Sequence, residues 1–195
     1  MVHNAGRKVS EARERLLATA TQIFYAEGLH SVGIDRIVAE AQVTRATLYR
    51  HFAGKDDLVI AYLESVSRME RDQVEQALAG GQPADDVLRA IARSVAAGIE
   101  SPGFRGCAFL NAAAEYPDRA HPVLKTVLGH REWFLRTITD LFAQTDRKSA
   151  ASAGRHFVML RDGAMAAGCL TDAAQVGETF LAGVEGMLRL RSGSE

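Results

Sequence analysis

Between Val43 and Phe52 the chain sets out Thr44, Arg45, Thr47, Tyr49, Arg50 and His51 without a single acidic residue. Guanidinium groups donate paired hydrogen bonds to base edges and phosphates, and hydroxyl groups bond phosphate oxygens. In a helix, Leu48 and Phe52 lie one turn apart and can anchor to a core. Ala46 and Arg50, also one turn apart, then project from the opposite side. A short helix that hides a few apolar residues and shows cationic and hydroxyl groups suits a DNA major groove.

Other chemistries find less support. The chain has no HExxH, no pair of Glu-x-x-His motifs for a di-iron site and no phosphate loop. His121 and His130 near Glu115 and Asp118 form one titratable cluster, which an ordinary polar loop explains. Cys107 and Cys169 make no CxxC pair and no metal-ligand spacing with histidine. No catalytic residue, metal or cofactor is therefore expected. A helical-bundle enzyme and a helical interaction protein with no DNA role stand as the alternatives.

The elements that must position the Val43–Phe52 segment follow from periodicity and breaks. Leu16, Leu17, Ala20, Ile23 and Phe24 form one apolar stripe of a first helix, predicted from Ser10, its N-cap, to Glu27. Gly28 suits the left-handed residue that ends it. Ile34, Ile37, Val38 and Ala41 mark a short second helix. Gln42-Val43 makes the turn, and Thr44 caps the third helix. Lys55-Asp-Asp57 opens a long fourth helix to about Ala79, its acids favouring a helix start. Five more are predicted over about 84–100, 107–115, 122–144, 148–170 and 173–191. All four prolines, at 83, 102, 117 and 122, fall at breaks. The fold class is thus all-α, with about nine helices: a helix-turn-helix domain over 1–55 and a larger helical domain over 56–195.

Phe24, Glu27-Gly28, Ile34-Asp-Arg-Ile37, Ala41, Val43-Thr44, Thr47-Leu48-Tyr49, His51-Phe52 and Lys55-Asp-Asp-Leu58 resemble the N-terminal domain of TetR-family transcriptional regulators. The likeness covers about residues 10–60. It implies an all-helical homodimer that binds a palindromic operator on double-stranded DNA. It also implies a C-terminal domain that dimerises through the last two helices and holds a small-molecule effector. Thr44, Tyr49, His51 and Lys55 match positions that usually bind phosphates in the family. Arg45, Ala46 and Thr47 enter the groove first. Arg45 suits either a guanine edge or a phosphate, Ala46 permits close approach, and Arg50 reaches bases or backbone. Arg7 and Lys8 fit either a minor-groove arm or a disordered end. Two positions depart from the family pattern. Gln42 replaces a common glycine, which is tolerable if φ stays negative. Val32-Gly33 replaces a common threonine, so that one phosphate contact is either missing or made by a backbone N–H instead.

The stretch from Arg105 to Asp118, with His121-Pro-Val123, looks like one TetR subgroup. The effector site is expected among Phe104, Cys107, Phe109, Asn111, Glu115, His130, Trp133, Phe134, His156, Met159 and Asp162. The C-terminal half around these residues is rich in apolar and aromatic side chains, with these polar groups embedded in it, and points to a mainly apolar ligand. Cys107 reads as a buried small residue, or as an oxidant sensor if a helix start lowers its pKa. Gly163, Ala164, Ala167, Gly168, Gly177, Gly183 and Gly186 read as a dimer face.

Composition agrees with this organisation. Residues 1–55 hold 8 Lys/Arg against 5 Asp/Glu, while the whole chain carries a net charge of −1. The first quarter is therefore mildly basic, as contact with a polyanion requires. An apolar content of 47% and a charged content of 24% are ordinary for a soluble globular protein. With no signal-peptide pattern, no membrane-length apolar run and no disulfide framework, a cytoplasmic location and no membrane partner are expected.

Overall fold

The computed structural model describes the backbone of residues 2–145 and 148–192, and the side chains of 11–145 and 148–189. Among the described residues there are nine α-helices and no strand. They are α1 (Val2–Glu27), α2 (Ile34–Glu40), α3 (Arg45–His51), α4 (Lys55–Ala79), α5 (Ala84–Ile99), α6 (Ala108–Glu115), α7 (Pro122–Thr145), α8 (Ala150–Ala167) and α9 (Ala173–Ser192). The expected boundaries hold closely except at the start of α1. Ser10 lies inside that helix instead of capping it. No proline interrupts residues 2–9, and a helix once nucleated extends cheaply. Arg7 and Lys8, expected as a possible groove-binding arm, lie outside the described side chains.

Two compact units divide the chain. One takes the residues up to Val66 with Asn111–Val127, and the other takes Ser67–Leu110 with Leu128 onward. α4, α6 and α7 therefore contribute residues to both.

In the first unit α1, α2 and α3 pack on one another. Leu16, Ala20, Ile23 and Phe24 of α1, Ile37 and Val38 of α2, Leu48 of α3 and Phe52 are all buried. These are the apolar positions that periodicity selected. Arg36 of α2 holds two carboxylates, Glu27 of α1 and Glu40 one turn along its own helix. Glu115, at the end of α6, accepts the Leu29 N–H on both oxygens (2.8 and 3.0 Å) and the His30 N–H on Oε2 (2.6 Å). Two backbone donors of the loop after α1 are thus satisfied by a residue 86 and 85 positions away.

In the second unit α5 packs on α8 and α9, and α8 on α9. An aromatic file runs Trp133, Phe134, Phe157, with Phe142 and Phe180 set against Phe157 at 6.4 and 6.0 Å between ring centres. Such tilted and edge-on pairs suit ring quadrupoles. Arg89 of α5 donates to both oxygens of Glu185 of α9, at 2.9 and 3.3 Å.

Candidate nucleic-acid interface and effector cleft

The turn between α2 and α3 sets the aim of α3. Gln42 N–H bonds Ala39 O at 3.1 Å, and Val43 N–H bonds Val38 O at 3.0 Å. This paired closure of a helix end requires a left-handed residue between them. Gln42 supplies it at φ +53°, among the described residues the one non-glycine with positive φ. The expected negative φ does not occur. The turn keeps its geometry, and the glutamine bears the strain. Gly28, at φ +93°, ends α1 as expected. Gly33, in extended conformation, precedes α2 without a side-chain cap.

Thr44 caps α3: its Oγ1 accepts the Thr47 N–H at 3.1 Å and lies 2.9 Å from the Thr47 hydroxyl. Arg50 Nη2 donates to that hydroxyl at 3.3 Å. Leu48 is fully buried, whereas Arg45, Ala46, Tyr49 and Arg50 are exposed. The two-sided character expected of this helix is thus realised. Arg45 is not free, because its Nε donates to Asp35 Oδ1 of α2 at 2.5 Å and its Nη2 pairs with the same oxygen. His51 is half-buried, and its Nε2 meets no hydrogen-bonding partner among the described residues. Loss of hydration, then the charges of Arg50 and Arg13, push its pKa below the ordinary value of 6.5. The ring is therefore neutral at pH 7. Lys55 Nζ donates to His30 O at 3.3 Å, and burial holds its pKa below the lysine range against Glu115 and Asp56.

The residues expected at an effector site are divided between the two units. Glu115 and Asn111 belong to the first unit, where the Glu115 oxygens are occupied as described. His156 and Met159 are exposed on α8, Met159 by 70%. Within the second unit, Phe109 stacks on the buried His130 at 3.6 Å, and His130 bonds Ser67 Oγ through Nδ1 at 3.0 Å. Asp162 pairs with Arg131 at 2.6 Å. Phe104 and Trp133 are half-buried, and Cys107 is buried 3.7 Å from Arg161 Nη1.

A cleft of about 240 Å³ opens beside this cluster, lined by Met69, Glu70, Gln73, Val74, Ala77, Ala90, Ile91, Ser94, Val95, Gly98, Phe134, Arg161 and Met165. Of the expected residues, Phe134 alone lines it. Arg161, absent from the expected set, is 4% exposed, has its Cζ 5.0 Å from the Phe134 ring centre and lies 3.4 Å from Glu70. Its Nε has no partner among the described residues. Burial opposes its charge, but Cys107, Glu70 and Asp162 together outweigh burial and keep it cationic. A signal was present: Ala150, Ala153, Gly154, Phe157, Val158, Arg161 and Ala164 form one buried face of α8, with Arg161 in the register of its apolar neighbours.

Several small residues taken for a dimer face serve packing within the chain. A Cβ on Gly168 would come within 2.6 Å of Ile99, on Gly177 within 2.6 Å of Glu100, and on Gly183 within 2.8 Å of Leu160. Gly163 and Gly186 face open space.

A capped, cation-bearing third helix held across a tight turn, in an otherwise helical chain, defines a helix-turn-helix regulator. The sequence comparisons agree. Residues 16–62 match the family described as bacterial regulatory proteins, tetR family. SCO4454, a TetR-family transcriptional regulator from Streptomyces coelicolor, is 67% identical with a TM-score of 0.91, over 94% of this chain and 97% of that one. SrpR, an HTH-type transcriptional regulator of Pseudomonas putida, is 34% identical over 65 residues, 33% of this chain and 30% of SrpR. The transcriptional regulator AcuR of Cereibacter sphaeroides is 27% identical over 146 residues, 74% of this chain and 67% of AcuR. The chain belongs to the TetR family of transcriptional regulators. Among the described residues, no helix is long and apolar enough to cross a membrane.

Proposed function

We propose that the protein is a homodimeric repressor that binds a palindromic operator on double-stranded DNA and is released by a small, mainly apolar molecule. The observation that carries this reading is the exposed face of α3, where Arg45, Ala46, Tyr49 and Arg50 surround a helix anchored by the buried Leu48. Thr44, Thr47, His51 and Lys55 complete the set of contacts with bases and phosphates. Two copies of α3 in a dimer read two half-sites. Dimerisation through the last two helices is supported by an apolar stripe: Met159, Gly163 and Ala166 of α8, with Leu170 just beyond it, are all exposed. These positions repeat at helical spacing, and exposed apolar surface of this kind marks an interaction site.

The effector occupies the cleft lined by Phe134, Met69, Met165 and Arg161. Its apolar walls favour an apolar body, and Glu70, Gln73, Ser94 and Arg161 orient its polar groups. Release is a population shift: the ligand stabilises a dimer in which the spacing of the two α3 helices no longer matches the operator. α4, which begins at Lys55, carries the change between the units that it shares.

The test is a titration of the full chain with the duplex upstream of its own gene and with bulk DNA, across a salt series. The expected result is tight binding to the upstream duplex and weaker, salt-dependent binding to bulk DNA. Arg45→Ala weakens the first more than the second. No binding to either duplex at any salt concentration overturns the reading.

A further inference from the structure

Arg45 is the leading cation of α3, and its pairing with Asp35 fixes which of its donors remain free. A guanidinium presents two hydrogen-bonding edges, Nε with Nη2, and Nη1 with Nη2. Asp35 Oδ1 occupies the first edge, at 2.5 Å from Nε and in contact with Nη2. Among the described residues Nη1 makes no hydrogen bond or ion pair. The free end edge, like the occupied side edge, supplies two parallel N–H groups, the pattern that O6 and N7 of guanine accept.

The pair also discriminates against the phosphate alternative. Asp35 and Arg45 are both exposed, with 69% and 62% of their side-chain surface accessible. Exposed ion pairs contribute little to stability, so this one is not explained by a need to hold the fold. A carboxylate held against the guanidinium cancels its net charge and repels a phosphate, whereas it leaves directional hydrogen bonding to a base intact. Asp35 Oδ2 has no donor among the described residues, and as an acceptor it suits the amino group of cytosine or adenine.

We infer that Asp35 is a positioning and specificity-determining residue, which holds the Arg45 guanidinium edge-on for one guanine in each operator half-site. The inference rests on the reading of α3 as the base-contacting helix, and the test separates the two. The full chain selects its operator from a random duplex pool. Affinities are then measured for the selected duplex, for duplexes altered at one base pair at a time, and for bulk DNA. The unaltered chain is expected to prefer guanine at one position per half-site by about tenfold or more. Asp35→Ala and Asp35→Asn are expected to reduce that preference at least threefold and to strengthen binding to bulk DNA. Their thermal midpoints verify the fold, and Asp35→Glu is expected to restore part of the preference. Retention of the full preference in both Asp35→Ala and Asp35→Asn overturns the inference, as does a loss equal on every sequence. Arg45→Ala, run in parallel, reports on the underlying reading. If it abolishes the preference while the Asp35 variants do not, only the role of Asp35 fails. If it too leaves the preference intact, the base-reading role of Arg45 fails with it.

Discussion

His51 shows how much of a residue's behaviour depends on surroundings that the local sequence does not name. It stands in the segment read as phosphate-binding, between Arg50 and Phe52. The fold half-buries the ring, leaves Nε2 without a partner among the described residues and depresses its pKa, chiefly by desolvation. A histidine that resists protonation in the folded state binds fewer protons there than in the unfolded chain. Stability therefore falls as pH drops below 6.5 and on through the lower folded value, and is insensitive to this group above 6.5. The thermal midpoint of the free protein is expected to fall more between pH 7 and pH 5.5 than that of His51→Gln, by calorimetry in matched buffers. Parallel curves would remove His51 as a source of the pH dependence. The same limit on local reading applies to Arg45, whose cationic role was legible from its place after Thr44. Its partner Asp35 is ten positions upstream, across a turn, and only the α2–α3 geometry brings the two together.

Among the elements, those with one apolar face were read with little error. Burial against a neighbour selects a stripe at helical spacing, and the stripe is visible in the chain itself. The start of α1 was misplaced because a plausible cap at Ser10 does not stop a helix when nothing upstream breaks it. The turn after α2 shows tertiary and local demands in conflict. Its hydrogen bonds fix a left-handed position, and Gln42 adopts it although a β-carbon disfavours it by about 1–2 kcal/mol. Gln42→Gly is expected to stabilise the protein by about 0.5–1 kcal/mol, the relieved strain being partly offset by greater freedom in the unfolded chain. Chemical denaturation checks this, and a destabilised variant would mean that the glutamine side chain makes a compensating contact. Arg161 shows the complementary case. It occupies an apolar register position of α8, and a stripe defined by apolar residue types does not include a charged one.

For the whole molecule, the stripe of Met159, Gly163, Ala166 and Leu170 is an apolar surface that a single chain leaves exposed. Met159→Asp is expected to shift the protein toward monomer in sedimentation and to weaken operator binding by about 100-fold, because one half-site no longer recruits the other. An unchanged dimer with unchanged affinity would place the interface elsewhere. The helical class, the order of the helices and the family were legible in the chain alone. Each of these depends on local spacing, caps and breaks, which the chain displays in order. Tertiary structure alone decided three further matters. Glu115 clasps the loop at Leu29 and His30. Arg161 and Glu70, from α8 and α4, meet in the wall of one cleft with Phe134. Asp35 holds Arg45. All three join residues distant in the chain or carried on different elements, so they depend on which faces pack together, and helical periodicity shows that a face is buried without naming its partner.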